Sequence, residues 1–242
     1  EKVASQLCYM DLDDERPRTM RKRRNALYPT PTEDLGIAWV EYNLNGEYSV
    51  VVNGRSDLNA RTPIPQGKEV HGMAWDNTTK SLYVLITDDE GMHIARVERE
   101  GLVAITRPAY TTLSDLTAKD GRLYYSSIAS GRNELHYFDI RKGEEYRVST
   151  SLYGSFSPHA IDSTTIVATS YERRGYLPVT QSTDSATRVE YRPHPVQLLL
   201  PESPRWNIIN LDTVRFDTAK GDSIKQQTPP RRFRRFAHTF NI

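Results

Sequence analysis

The feature that most constrains this chain is a repeat of about 42 residues. Four short runs look alike: Ile37-Ala38-Trp39-Val40, Leu82-Tyr83-Val84-Leu85, Leu123-Tyr124-Tyr125-Ser126 and Ile166-Val167-Ala168-Thr169. Each is rich in β-branched or aromatic residues, as strands are. Each follows a polar turn that carries an aspartate. Asp34, Asp76, Asp120 and Asp162 stand 42, 44 and 42 residues apart. Two residues before three of them stands an alanine, Ala74, Ala118 and Ala160. A second series opens at Tyr48, Met92, Glu134 and Tyr176, at steps of 44, 42 and 42. Glycine turns separate the two series: Asn45-Gly46, Asp89-Glu90-Gly91, Ser130-Gly131 and Arg174-Gly175. Glycine supplies the positive φ that tight hairpins require.

Further turns at Glu100-Gly101 and Lys142-Gly143 complete the unit. It reads as four antiparallel strands in about 42 residues, which is the pattern of a propeller blade. The predicted fold is an all-β propeller of four-stranded antiparallel blades. Blades are expected over 27–67, 68–110, 111–153 and 154–201. They make four clear blades, or five or six if the termini contribute. Residues 1–26 are read as an N-terminal extension or closing strand, with one strand-like run from Val3 to Met10. Cys8 lies in that run and is expected to be a small packing residue. The best helical candidate, Glu15 to Leu27, is weak, and its Arg21-Lys22-Arg23-Arg24 cluster is read as a solvated connector. Residues 202–228 are read as a partial blade or closing hairpin, with strands around Trp206–Asn210 and Thr213–Phe216. Residues 229–242 are read as a basic, aromatic linker to a further domain.

Composition sets broader bounds. With 242 residues, of which 37% are apolar, the chain can bury a real core. Thirty-two basic residues against 31 acidic ones exclude a globally basic nucleic-acid footprint. The lone Cys8 excludes an intrachain disulfide and a Cys-rich zinc site. No apolar run approaches the roughly 18 residues of a membrane helix, so no membrane insertion is expected. The chain opens Glu1-Lys2-Val3, without a methionine or a signal peptide, and is expected to be a piece of a longer one.

The stretch from Ser130 to Val148, with Leu135-His136-Tyr137-Phe138-Asp139 and Tyr146-Arg147-Val148, is similar to the third and fourth strands of TolB-like propeller blades. Phe156-Ser157-Pro158 resembles their Phe-Ser-Pro-Asp-Gly blade opening, with the aspartate displaced to Asp162. Asp120-Gly121 keeps the Asp-Gly pair. The resemblance covers about 34–180 and implies the propeller architecture. It does not fix function, because such blades serve binding proteins, peptidase gating domains and surface proteins alike. Arg234 to Ile242 resembles the junction before an outer-membrane barrel in large Gram-negative envelope proteins. That likeness implies a periplasmic or cell-surface location and a C-terminal barrel in the same parent chain as a partner.

Motifs for chemistry are mostly absent. The chain has no Gly-x-Ser-x-Gly elbow, no His-Glu-x-x-His, no Gly-x-Gly-x-x-Gly and no phosphate-cradling loop. No catalytic residue, cofactor or metal is assigned. The pairs Asp13-Asp14, Asp88-Asp89 and Glu144-Glu145 are read as solvated. His71, Asp115 and His159 stand 44 residues apart, but alignment on the Asp turns sets His159 out of register with the other two. His71 and Asp115 remain as channel-facing candidates, and His93 and His136 are read as packing residues. Tyr171, Arg173, Arg174 and Tyr176 make the hairpin most like an interface. The expected role is a non-catalytic module that engages protein or peptide through the channel mouth and blade loops. The alternatives are an accessory gating propeller of a peptidase or hydrolase, and a carbohydrate-binding propeller.

Overall fold

Strands form wherever period-two runs of Val, Ile, Leu and Tyr end in Asp or Gly turns, and the sheets follow from pairing neighbours in sequence. The structure is a computed structural model that describes residues 5–33, 36–43, 46–53, 61–148 and 151–190, with the backbone alone at 21–24. Asp34, Asn45, the expected closing hairpin 202–228 and the linker 229–242 lie outside the described residues.

A two-stranded hairpin pairs β1 (Gln6–Tyr9) with β2 (Arg18–Arg24). The first blade holds β3 (Ala26–Pro31), β4 (Ile37–Tyr42), β5 (Tyr48–Asn53) and β6 (Arg61–Ile64). The second holds β7 (Glu69–Asp76), β8 (Ser81–Asp88), β9 (Gly91–Val97) and β10 (Leu102–Ala104). In the third are β11 (Leu113–Lys119), β12 (Arg122–Ser127), β13 (Glu134–Asp139) and β14 (Glu144–Arg147). The fourth has three strands among the described residues, β15 (Ser155–Ala160), β16 (Thr165–Glu172) and β17 (Gly175–Ser182). All pairings are antiparallel and sequential, with one exception. The next strand, β18 (Thr187–Arg188), does not extend the fourth blade. It adds to the outer edge of the third, pairing Tyr146 with Arg188 and Arg147 with Thr187.

The core lies between blades. Alternate residues of each second and third strand point to opposite neighbours. Ala38, Val40 and Val50 meet Leu82, Val84 and Ile86. Tyr83, Leu85 and Ile94 meet Leu123, Tyr125 and Phe138. Tyr124, Leu135 and Tyr137 meet Ile166 and Ala168. The free face of the first blade is covered by the N-terminal hairpin, where Leu7 and Met20 pack on Trp39 and Ala26.

Three sequence expectations change. The Glu15–Leu27 connector contains strand β2, because β1 supplies the pairing partner that local sequence does not show. Cys8 is exposed and Leu7 is the buried member of that run. Two of the acidic pairs are not simply solvated. Asp88 is half-buried and accepts from Lys68 Nζ at 2.8 Å, and Glu145 Oε1 lies 2.7 Å from His136 Nδ1. In Asp14, Oδ1 accepts from Arg18 at 2.9 Å.

The aspartate turns work as their chemistry requires. Asp76 Oδ2 accepts from the N–H and the hydroxyl of Thr79, each at 2.8 Å. Asp162 Oδ1 accepts from the Thr164 N–H at 2.8 Å, the Thr164 hydroxyl at 2.9 Å and the Thr165 N–H at 2.8 Å. These bonds, the Thr164 N–H first, hold its carboxyl below the usual value. Asp120 and Gly121 instead take left-handed backbone angles, φ 53° and 75°, as a tight hairpin turn demands.

Candidate functional site

Each innermost strand carries a bulge at an equivalent place. The pairing of β3 with β4 skips Tyr28 and Pro29, that of β7 with β8 skips His71, that of β11 with β12 skips Asp115 and Leu116, and that of β15 with β16 skips Ser157 and Pro158. Tyr28, His71, Asp115 and Ser157 thus stand 43, 44 and 42 residues apart and are all exposed. Three of them are left-handed without being glycine: Tyr28 at φ 54°, Asp115 at 56° and Ser157 at 51°. Such strain is uncommon, most of all for a bulky tyrosine, and it gathers at functional positions. A bulge turns one extra side chain out of the ladder, so the innermost strands present four such side chains at one level. Prolines after Tyr28 and Ser157 are the sequence signal for these bulges, because proline in a strand marks an edge or a bulge.

The same positions join the blades. Asp115 Oδ2 accepts from the Ser157 N–H at 3.0 Å across the seam between the third and fourth blades. Ser114 and Ser126 hydroxyls also donate to it, each at 3.3 Å. Two residues beyond the bulge, Thr117 Oγ1 donates to Pro158 O at 2.7 Å, and Thr30 Oγ1 donates to Met73 O at 3.4 Å. At the middle seam the equivalent position is Met73, which has no hydroxyl. There Asp76 Oδ1 accepts from Gly121 N–H at 3.1 Å.

His71 Nε2 lies 2.9 Å from Thr87 Oγ1, within its own blade. His159 falls two residues past its bulge, out of step with His71 and Asp115. No group of three metal-ligating side chains forms among the described residues. His93 is buried and its Nε2 lies 3.9 Å from Asp88 Oδ2. Burial pushes its pKa down, outweighing the nearby Asp88 carboxylate. For Glu145, burial pushes the pKa up, but the hydrogen bond and charge of His136 prevail and hold it below the ordinary value.

The β16–β17 hairpin places the other sequence candidates. Tyr171 and Tyr176 are a cross-strand pair, with ring centroids 4.9 Å apart. Tyr153 meets Tyr171 edge-on at 6.4 Å, and Phe156 meets Tyr176 at 5.9 Å. The result is an exposed aromatic surface, of which the sequence showed only the hairpin half. Arg173 and Arg174 sit at the exposed tip, where Gly175 takes φ 103°. The structure does not gather the hairpin group and the His71–Asp115 group into one site. They belong to a rim and to the innermost strands.

No family model matches the chain, and no curated protein does. Solved structures do. TolB from Acinetobacter baumannii is 17% identical with a TM-score of 0.57, over 78% of this chain and 49% of that one. A putative TolB from Agrobacterium tumefaciens is 13% identical with a TM-score of 0.54, over 73% and 70%. A puromycin-hydrolyzing peptidase from Mycobacterium tuberculosis is 17% identical with a TM-score of 0.54, over 72% of this chain and 30% of that one. The chain therefore spans under a third of the peptidase and about half of the Acinetobacter protein. At these identities the likeness concerns fold: the described blades are those of a TolB-like β-propeller.

Proposed function

We propose that this propeller is a non-catalytic binding module of a bacterial envelope protein, periplasmic or at the cell surface, which engages protein or peptide through its innermost strands and blade loops. The observation that carries the reading is the repeated bulge. Tyr28, His71, Asp115 and Ser157 stand exposed at one level, three of them strained, and the strain is held in place by contacts across a seam. A level of mixed donors, acceptors and one large ring suits a peptide backbone and its side chains. The exposed guanidinium groups of Arg173 and Arg174, beside exposed tyrosines, supply the residue types that dominate protein hot spots. The TolB likeness supports the envelope setting. A C-terminal outer-membrane barrel in the parent chain is the partner that the Arg234–Ile242 resemblance supports.

The likeness to the peptidase supports a second reading, a propeller that gates access to a catalytic domain in the parent chain. Selection of displayed random peptides on the protein separates the two. Under the first reading, enriched peptides bind with one dominant motif and lose about tenfold in affinity in His71→Ala. Enrichment that survives both His71→Ala and the Arg173→Ala, Arg174→Ala pair would sink the binding reading. A parent chain that cleaves the enriched peptides would favour gating.

A further inference from the structure

We propose that the cleft between the outer rims of the third and fourth blades is a binding site for a neutral saccharide. The cleft shares Tyr171 with the hairpin of the peptide-binding reading but none of the bulge residues of the innermost strands, so substitutions at Gln181 and at His71 test the two readings apart. Its volume is about 580 Å³, within the range of small-molecule sites.

The chemistry of the lining selects the ligand. Among the described residues that line the cleft there is no lysine, arginine or histidine, and one carboxylate, Glu172; Arg132 reaches only its edge, with Nη1 3.5 Å from Leu152 O, and Arg173 follows Glu172 at the exposed hairpin tip. A phosphate, a carboxylate or an acidic peptide would meet no counter-charge in the lining itself and would face Glu172. Tyr153 and Tyr171 stand at the mouth, 58% and 44% exposed, with rings nearly perpendicular at 81°. Two flat rings of this kind offer apolar faces with a polar end in water, and the C–H face of a pyranose fits against such a surface. Elsewhere along the lining, the side chains of Thr180, Gln181 and Ser185 make no hydrogen bond among the described residues. Among the described residues Glu172 Oε1 accepts one bond, from Ser170 Oγ at 3.4 Å. The amide and hydroxyls can each donate and accept, and the carboxylate can accept several bonds. Uncharged, adaptable donors and acceptors beside aromatic faces match a ligand dense in hydroxyls with an apolar side.

The neighbouring strand edge argues against an added peptide strand. The Thr183 N–H donates to Thr164 O at 2.7 Å, which sets the phase of the β16–β17 ladder. Tyr176, Pro178, Thr180 and Ser182 then turn their backbone groups to the outer edge. Pro178 has no donor to offer there, a usual protection against strand addition.

Saturation-transfer NMR on the 242-residue protein with maltose, cellobiose and N,N′-diacetylchitobiose tests this. The expected result is transfer to at least one of the three with a Kd on the order of 1 mM. Tyr153→Ala and Gln181→Ala should each weaken it about tenfold at an unchanged thermal midpoint, and Tyr153→Phe should retain it. Transfer to none of the three overturns the proposal, as does transfer undiminished in both weakening variants. Displacement of the sugar by spermidine at equal concentration would also overturn it, since the site would then be a cation site built on Glu172.

Discussion

The first and last described blades are built on one repeat, yet their outward faces have opposite fates. On the first blade Trp39 is 2% exposed, because the β1–β2 hairpin lays Leu7 and Met20 over it. On the fourth, Tyr171 and Tyr176 are 44% and 67% exposed, and among the described residues no strand lies over them. A blade has two faces and its core is shared with neighbours, so a blade with one neighbour among the described residues needs cover from elsewhere on its other face. The hairpin is that cover at one end. At the other end the same face carries tyrosines, which tolerate water at their hydroxyls, in place of tryptophan and valine.

The largest effect that follows is at the covered end. Trp39→Ala removes the centre of the cluster under the hairpin and should cost about 4 kcal/mol, read as a loss in the denaturant unfolding free energy. If Trp39→Ala costs no more than an exposed substitution, the hairpin is not a cap and the contrast between the two ends fails.

Next comes the seam between the middle blades. Asp76 is fully buried and receives two donors within its own turn and a third from Gly121 across the seam. Asp76→Ala leaves these donors unsatisfied and should cost about 3 kcal/mol. Asp162, whose carboxylate bonds all stay within its own exposed turn, should lose clearly less on the same substitution. Equal losses at the two aspartates would show that the seam bond adds nothing.

The sequence makes the blade order readable because register depends on local alternation and turn residues, and both recur here every 42 to 44 residues. It carries less about contacts whose partner is far along the chain. Nothing near Arg18–Arg24 announces a strand, since β1 provides the pairing. Nothing near Thr117 announces that its hydroxyl bonds Pro158, 41 residues on. Asp88 reads as a turn carboxylate until Lys68 is brought to it. At the candidate sites, Tyr171 and Tyr176 were legible as a hairpin pair, whereas Tyr153 and Phe156 join them only through packing. The bulges were half legible: Pro29 and Pro158 mark two of them, and the strain at Asp115 leaves no trace in composition.

A smaller effect concerns an interior blade against the ends. His93 is buried in the second blade, with Asp88 and Glu90 favouring its charged form and burial and Lys68 opposing it. The balance keeps the folded pKa below the ordinary 6.5. Above 6.5 both folded and unfolded chains hold a neutral ring, and the stability is complete. As pH falls from 6.5 toward the folded pKa, the unfolded chain binds a proton that the folded one refuses, so stability declines. Urea midpoints should therefore drop between about pH 7.5 and about pH 5.5, and His93→Gln should flatten that drop. A midpoint that rises on acidification would reverse the sign and refute the burial argument.

The smallest effect is the most informative about the outward face of the fourth blade. Tyr176→Ala deletes a ring that touches Tyr171 and Phe156 and leaves its residue 67% exposed. Two exposed aromatic contacts are worth about 1 kcal/mol together, so the loss in unfolding free energy should be near that and well below the loss at Trp39. The area argument runs the same way, because a side chain two-thirds exposed has little apolar surface left to return to water on unfolding. A measured loss of about 3 kcal/mol or more would place Tyr176 among buried aromatics. The outward face of the fourth blade would then be covered in solution, and the two ends of the blade series would be alike after all.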